Sequence, residues 1–130
     1  MKDTLKTVAI AENWTEWCNK KNIDELKAIT EEEFEVSGPK GTAVLDTEGI
    51  KDWLNRAGIR LETFEIYADN NKIILSQHAE WLEQDGSVKG RQDVYTFLTI
   101  INDKVKSLAR FDDKEDAFEA SGLTEDNKLR

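Results

Sequence analysis

Residues 72–101 read KIILSQHAEWLEQDGSVKGRQDVYTFLTII, and the two-residue period in this stretch decides the fold. Successive side chains of a strand point to opposite faces of its sheet. In the first half, Ile73, Leu75, Ala79 and Trp81 share one parity, while Ile74, His78 and Leu82 share the other. In the second half, Val94 to Ile101 carries no charge and is apolar or neutral at both parities. Asp85-Gly86 between them is a strong hairpin signal. Working outward, Ile59–Ala68 and Val105–Asp112 show the same period. The joints Asp69-Asn70-Asn71 and Asn102-Asp103 are turn chemistry. Four consecutive strands, Ile59–Ala68, Lys72–Gln84, Val88–Ile101 and Val105–Asp112, therefore form an antiparallel meander. The apolar phase slips between Leu61 and Phe64, which predicts a bulge and a bent sheet.

Upstream the period changes to that of helices. Ile10, Trp14, Trp17 and Cys18 fall on one helical face, with Leu5, Val8 and Ala9 nearly opposite. Asn22 followed by Glu25 resembles a capping box opening a short helix with Ile23, Leu26 and Ile29 inward. Asp46 or Thr47 caps a further helix striped by Ile50, Trp53, Leu54 and Ala57 and ended by Gly58. Phe34 and Val36 suggest a short strand between them, before the loop Ser37-Gly38-Pro39-Lys40-Gly41. Downstream, Asp112 with Glu115 reads as the cap of a closing helix carrying Ala117, Phe118 and Ala120 and ended by Gly122. One domain over residues 1–122 with a polar tail over 123–130 is expected.

A sheet with one wet face should alternate apolar and polar residues. Here it does not, and helices are expected to cover only one face in a chain this short. The second face then needs another cover, and a twofold partner copy, giving a homodimer through the sheet, is the expectation.

The chain has 130 residues with 27 acidic and 18 basic side chains, a net charge of −9. Residues 112–130 hold a disproportionate share of the acids. Nucleic acid and anionic membrane surfaces, which call for clustered Lys and Arg, are not expected partners. One cysteine forbids an internal disulfide, and one histidine beside it argues against a structural zinc site, so no metal is expected. No apolar run spans a membrane, and the first residues lack a signal-peptide core, so a cytoplasmic protein is expected. No glycine-rich phosphate loop follows a strand, and no cofactor is expected.

Helices, then a bent meander, then a closing helix is an order that resembles the nuclear-transport-factor-2-like superfamily, with its SnoaL-like and ketosteroid-isomerase-like members. The residues carrying the resemblance are Trp14–Asn19 leading into Asn22-Ile23-Asp24-Glu25-Leu26, then Glu35 to Gly41, then Ala109-Arg110-Phe111-Asp112-Asp113. The resemblance implies an α+β fold, a cystatin-like cone of N-terminal helices on a strongly curved antiparallel sheet. It also implies a cavity between sheet and helices and frequent dimerisation. It does not imply one activity. The base and the two oxyanion donors of the isomerase members align with Gly38, which has no side chain, Trp14, which offers a single N–H, and Phe97, which has no donor, so ketosteroid isomerisation is not expected.

Candidate site residues follow. His78 titrates near neutrality when unperturbed and could act as acid or base with Tyr95 or Asp112. Asp112 is equally placed as a helix cap. Arg110 could hold a ligand carboxylate through its fork of donors, or pair with Asp112, Asp113, Glu115 and Asp116. Trp14, Trp17, Trp53 and Phe97 would line an apolar cavity or simply fill the core. The leading expectation is a homodimeric binding domain for a small apolar or aromatic molecule. The alternatives are a cyclase, dehydratase or isomerase, and a protein-interaction module with a filled cavity.

Overall fold

The computed structural model describes residues 2–38, 41–56 and 58–129. The side chains of Trp53 and Leu54, together with Ala57, lie outside the described residues. The elements are α1 (Lys2–Lys20), α2 (Ile23–Ala28), β1 (Thr30–Gly38), β2 (Gly41–Leu45), α3 (Thr47–Arg56), β3 (Ile59–Asp69), β4 (Lys72–Leu82), β5 (Val88–Ile101), β6 (Lys104–Phe111), α4 (Lys114–Ser121) and a 3₁₀ turn over Glu125–Asn127.

The sheet has six strands in the order β2-β1-β6-β5-β4-β3. The meander β3–β6 is antiparallel, but β1 joins β6 in parallel, so the sheet is mixed rather than purely antiparallel. The apolar slip in β3 is a real irregularity, with the pairing shifted between Thr63 and Glu65. Asn102 and Asp103 both take positive φ, the backbone that a two-residue hairpin turn needs. Asn22 accepts from the Glu25 amide at 3.3 Å, and Asp46 accepts from the Gly49 amide at 2.9 Å, so Asp46 is the residue that caps α3.

One face of the sheet packs on the N-terminal helices. Ile73, Leu75, Leu98, Ile100 and Leu108 meet Ala11, Trp14 and Cys18 of α1 there. Leu5, read as part of a second apolar patch, is 64% exposed. The other face corrects the premise that helices cover one face only. Tyr67 and Ile74 are fully buried on it beneath Ala117 and Leu123, with Tyr95, Phe97, Phe111 and Phe118 packed around them. The chain's own α4 and C-terminal segment therefore cover the apolar half of that face. The remainder, around His78, Asp93 and Arg91, is exposed.

Residues 123–129 are likewise not a free tail. Leu123 is buried, and the Leu129 amide donates to the Ile66 carbonyl at 2.7 Å on the outer edge of β3. Asn19 protects the same edge further along, donating to the Leu61 carbonyl at 2.8 Å and accepting from its amide at 2.9 Å. An edge strand so occupied cannot pair with another chain at those positions.

Glu65 fastens this C-terminal cover through Lys128 at 3.1 Å and Lys114 at 3.5 Å. Lys114 also donates to the Tyr67 hydroxyl at 3.0 Å and to Glu125 at 3.2 Å. Partial burial pushes the Glu65 carboxyl upward. The hydrogen bond from Lys128 and the Lys114 charge outweigh that effect and leave it below its ordinary value of 4.5. A lowered carboxylate stabilises the fold above its unfolded pKa, and the contribution is lost as pH falls through the lowered folded value. Hydrogen exchange at the Leu129 amide is therefore expected to accelerate as pH drops below about 4.5, after correction for intrinsic exchange. Glu65→Gln should show the faster exchange already at neutral pH, and unchanged protection would exclude this tether.

Candidate functional site

Among the described residues, a set of polar groups inside the helix-covered face forms a relay across five elements. Gln77 on β4 is fully buried, and so needs partners. Its amide nitrogen donates to Thr63 of β3 at 3.2 Å and to Thr15 of α1 at 3.4 Å. Its carbonyl accepts from the Thr96 hydroxyl of β5 at 2.7 Å. Thr96 in turn accepts from Arg110 Nε of β6 at 3.3 Å. The register explains the line-up, since Leu75 pairs with Thr96 and Thr96 with Arg110, so the three lie on one face. Thr15 completes the relay by donating to the Ala11 carbonyl at 3.1 Å.

Arg110 stands at the end of that relay and is half-buried. The pairing of β1 with β6 ends at Ser37 opposite Ala109, and Arg110 and Phe111 run past it. A pocket of about 310 Å³ opens at this place, lined by Ser37, Ala109, Arg110, Phe111, Asp112, Asp113 and Asp116. Burial pulls the guanidinium's pKa down from its ordinary value. The Cys18 thiol, buried beside it, is pushed up to about 12 and stays protonated at neutral pH, which removes it as a nucleophile.

The opposite face carries a second group. His78 Nδ1 lies 2.6 Å from Asp93 Oδ1 across the β4–β5 pair, and the ring stacks on Phe64 at 4.2 Å. Two residues along, Glu80 receives Arg60 Nε and Arg91 Nε, each at 2.9 Å. The hydrogen bonds from Arg60 and then Arg91 hold its carboxyl below the usual glutamate range. An opening of about 520 Å³ is bordered by these side chains and by Glu16 and Asn19 of α1.

The structure therefore divides the residues singled out from the sequence. His78 and Tyr95 share the outer face, but Tyr95 is packed beneath α4, and the partner of His78 is Asp93. Asp112 is on the other side of the sheet, accepting from Gln92 at 2.7 Å. It is not the cap of α4, because the chain enters the helix one residue later, at Asp113, and the Asp113 side chain makes no capping bond. Trp14 is core, 1% exposed, donating to Thr30 at 3.0 Å and packed on Phe34. Trp17 packs against the same core, with Lys20 over its ring. Phe97 lies under α4, on the face away from Arg110. Of the residues expected to line a cavity, Arg110 alone lines the pocket at the end of β6 among those described. Gln77 and Thr96 were missed, and the parity they share with Leu75 and Leu98 was the available signal. No group of three or more metal-ligating side chains occurs among the described residues, and none of their helices is long and apolar enough to cross a membrane.

No protein-family model matches the sequence, and no curated protein matches it. Solved structures do. A provisionally named SnoaL-like polyketide cyclase from Jannaschia sp. CCS1 superposes with a TM-score of 0.74 at 9% identity, over 93% of this chain and 94% of that one. An NTF2-like protein of unknown function from Cytophaga hutchinsonii ATCC 33406 gives 0.69 at 15% identity, over 86% and 94%. TerC, co-crystallised with polyporic acid, gives 0.70 at 16% identity, over 89% and 97%. The chain thus has the nuclear-transport-factor-2-like fold, an α+β cone with SnoaL-like neighbours.

Gln77→Leu removes the hub of the relay and strands the hydroxyls of Thr63 and Thr96. Leaving buried polar groups unpaired costs about 1–3 kcal/mol, so denaturant unfolding should show a loss of that size, and a neutral result would mean the relay is not closed in solution.

Proposed function

We propose that this chain is a small-molecule-binding domain whose ligand occupies the pocket at the end of β6. The observation that supports the reading is a pocket of about 310 Å³ whose lining combines the apolar Ala109 and Phe111 with the polar Ser37, Asp112, Asp113 and Asp116. That volume falls in the range of small-ligand sites. The lining differs from the aromatic one expected from sequence, with Phe111 its only aromatic member among the described residues. The fold is shared with TerC, co-crystallised with polyporic acid, which is compatible with this reading. Titrating a library of small organic fragments into labelled protein should move the amide resonances of Ser37 and of Ala109 to Asp113. Hits confined to the His78 side would overturn the assignment.

A second reading, general acid–base catalysis, is favoured by the His78–Asp93 pair. A carboxylate only accepts hydrogen bonds, so the shared proton belongs on Nδ1 and Nε2 is left as the base. The opening bordered by Arg60 and Arg91 is where a substrate would lie. If this chain accelerates deuterium exchange into a ketone carbon acid, His78→Ala should reduce the enhancement roughly a hundredfold. An enhancement equal in both proteins would remove the reading. Self-association through the sheet, if it occurs, would use this same charged half of the outer face, since α4 covers the apolar half.

A further inference from the structure

We propose that the exposed half of the outer sheet face is the contact surface for a second copy of this chain, joined through two mutually complementary rows of charge. The strand register sets out the rows. Arg60 of β3 lies opposite Glu80 of β4, and Glu80 opposite Arg91 of β5. Two residues along, Glu62 lies opposite His78, and His78 opposite Asp93. Residues two apart on a strand share a face, so all of these side chains stand on one surface. The hydrogen bonds agree, with Arg60 and Arg91 both on Glu80 and His78 on Asp93. Across the strands the first row runs plus, minus, plus. The second has a carboxylate at each end and the imidazole in the middle. Glu80 is half-buried and the others are exposed, because α4 and the C-terminal segment cover only the half of the face around Tyr67 and Ile74.

A twofold axis parallel to the sheet, running across the strands midway between the rows, brings each row onto the other row of the partner copy. Arg60 then faces the partner's Glu62, Arg91 faces the partner's Asp93, and each contact occurs twice. His78 faces the partner's Glu80, with no like charge in either of its protonation states. A twofold axis along the strands would set Arg60 on the partner's Arg91 instead, so charge selects the first arrangement. The groups are available for it. Arg60 uses Nε and Nη2 on Glu80, and Arg91 uses Nε, which leaves terminal N–H donors on both. Glu62 has no ion-pair partner among the described residues. Phe64, exposed and stacked on His78, adds apolar area beside the rows. The net charge of −9 repels two copies in general, and the rows supply attraction in one orientation. A small, polar surface of this kind suits reversible association over a permanent dimer. The proposal is independent of the pocket at the end of β6 and competes with the acid–base reading for His78.

Sedimentation equilibrium of the full chain tests this. At about 100 μM and low salt the chain should be largely dimeric, and added salt should weaken the association. Arg91→Glu sets a carboxylate against the partner's Asp93, and Asp93→Lys sets an ammonium against the partner's Arg91. Each variant alone should therefore associate at least about tenfold more weakly than the parent. An equimolar mixture of the two should recover the dimer, because each variant then meets the opposite charge in the other. Arg60→Glu mixed with Glu62→Lys repeats the test on β3 and keeps it decisive if a β5 variant does not fold. A parent chain that is monomeric at this concentration would overturn the proposal. So would single variants that associate as the parent does, or folded variants whose mixture recovers nothing.

Discussion

A sheet that is apolar on both faces cannot stand in water on either, and everything else in this molecule follows from how the two faces are covered. The helix-covered face takes α1 with the residues around Trp14 and Cys18. The other takes the chain's last segment, with Ala117 and Leu123 on Tyr67 and Ile74. Burying side chains of that size is worth roughly 1.5–3 kcal/mol each against leaving them exposed. The C-terminal segment is thus part of the core and not an appendage to it. Because the segment is short, it covers only half of its face, and the charged remainder holds the His78–Asp93 pair and the Glu80 cluster.

Polar groups inside the first face are the complementary constraint. Gln77 and Thr96 occupy positions where the neighbouring rows are Leu75 and Leu98, so each must find a partner across the sheet. They find one another, and the line ends at Arg110, where β1 stops alongside β6. The pocket exists because a strand ends there. Its lining is polar because Ser37 and Asp112, Asp113 and Asp116 gather where β6 runs on into α4, and that is why it departs from the aromatic cavity that the tryptophan count suggests.

Much of this was legible in the residues. The two-residue period placed β3 to β6 nearly to their ends, the turn residues marked the hairpins, and the slip near Phe64 marked the bulge. The resemblance in element order agreed with the fold found by superposition. What was not legible has identifiable causes. β2 was hidden because Gly41 to Leu45 is too short to show a period, and the parallel β1–β6 pair is a contact between segments far apart in sequence. The cover by α4 was missed because a weakly apolar helix such as Lys114–Ser121 does not announce which face it will dock on. Asp112 and Asp113 are adjacent acids before a helix, and composition cannot say which one is the cap.

By itself the sequence determined the helices, the four meander strands, their order and the presence of a sheet needing cover on both sides, because these depend on local period and turn chemistry. Only the tertiary structure decided that the second cover is the chain's own C-terminus. It also paired His78 with Asp93 and separated both from Asp112, and it turned Arg110 to the Thr96 hydroxyl. Those outcomes depend on strand register and on where neighbouring strands stop, and a one-residue change in either sends a side chain to the opposite face.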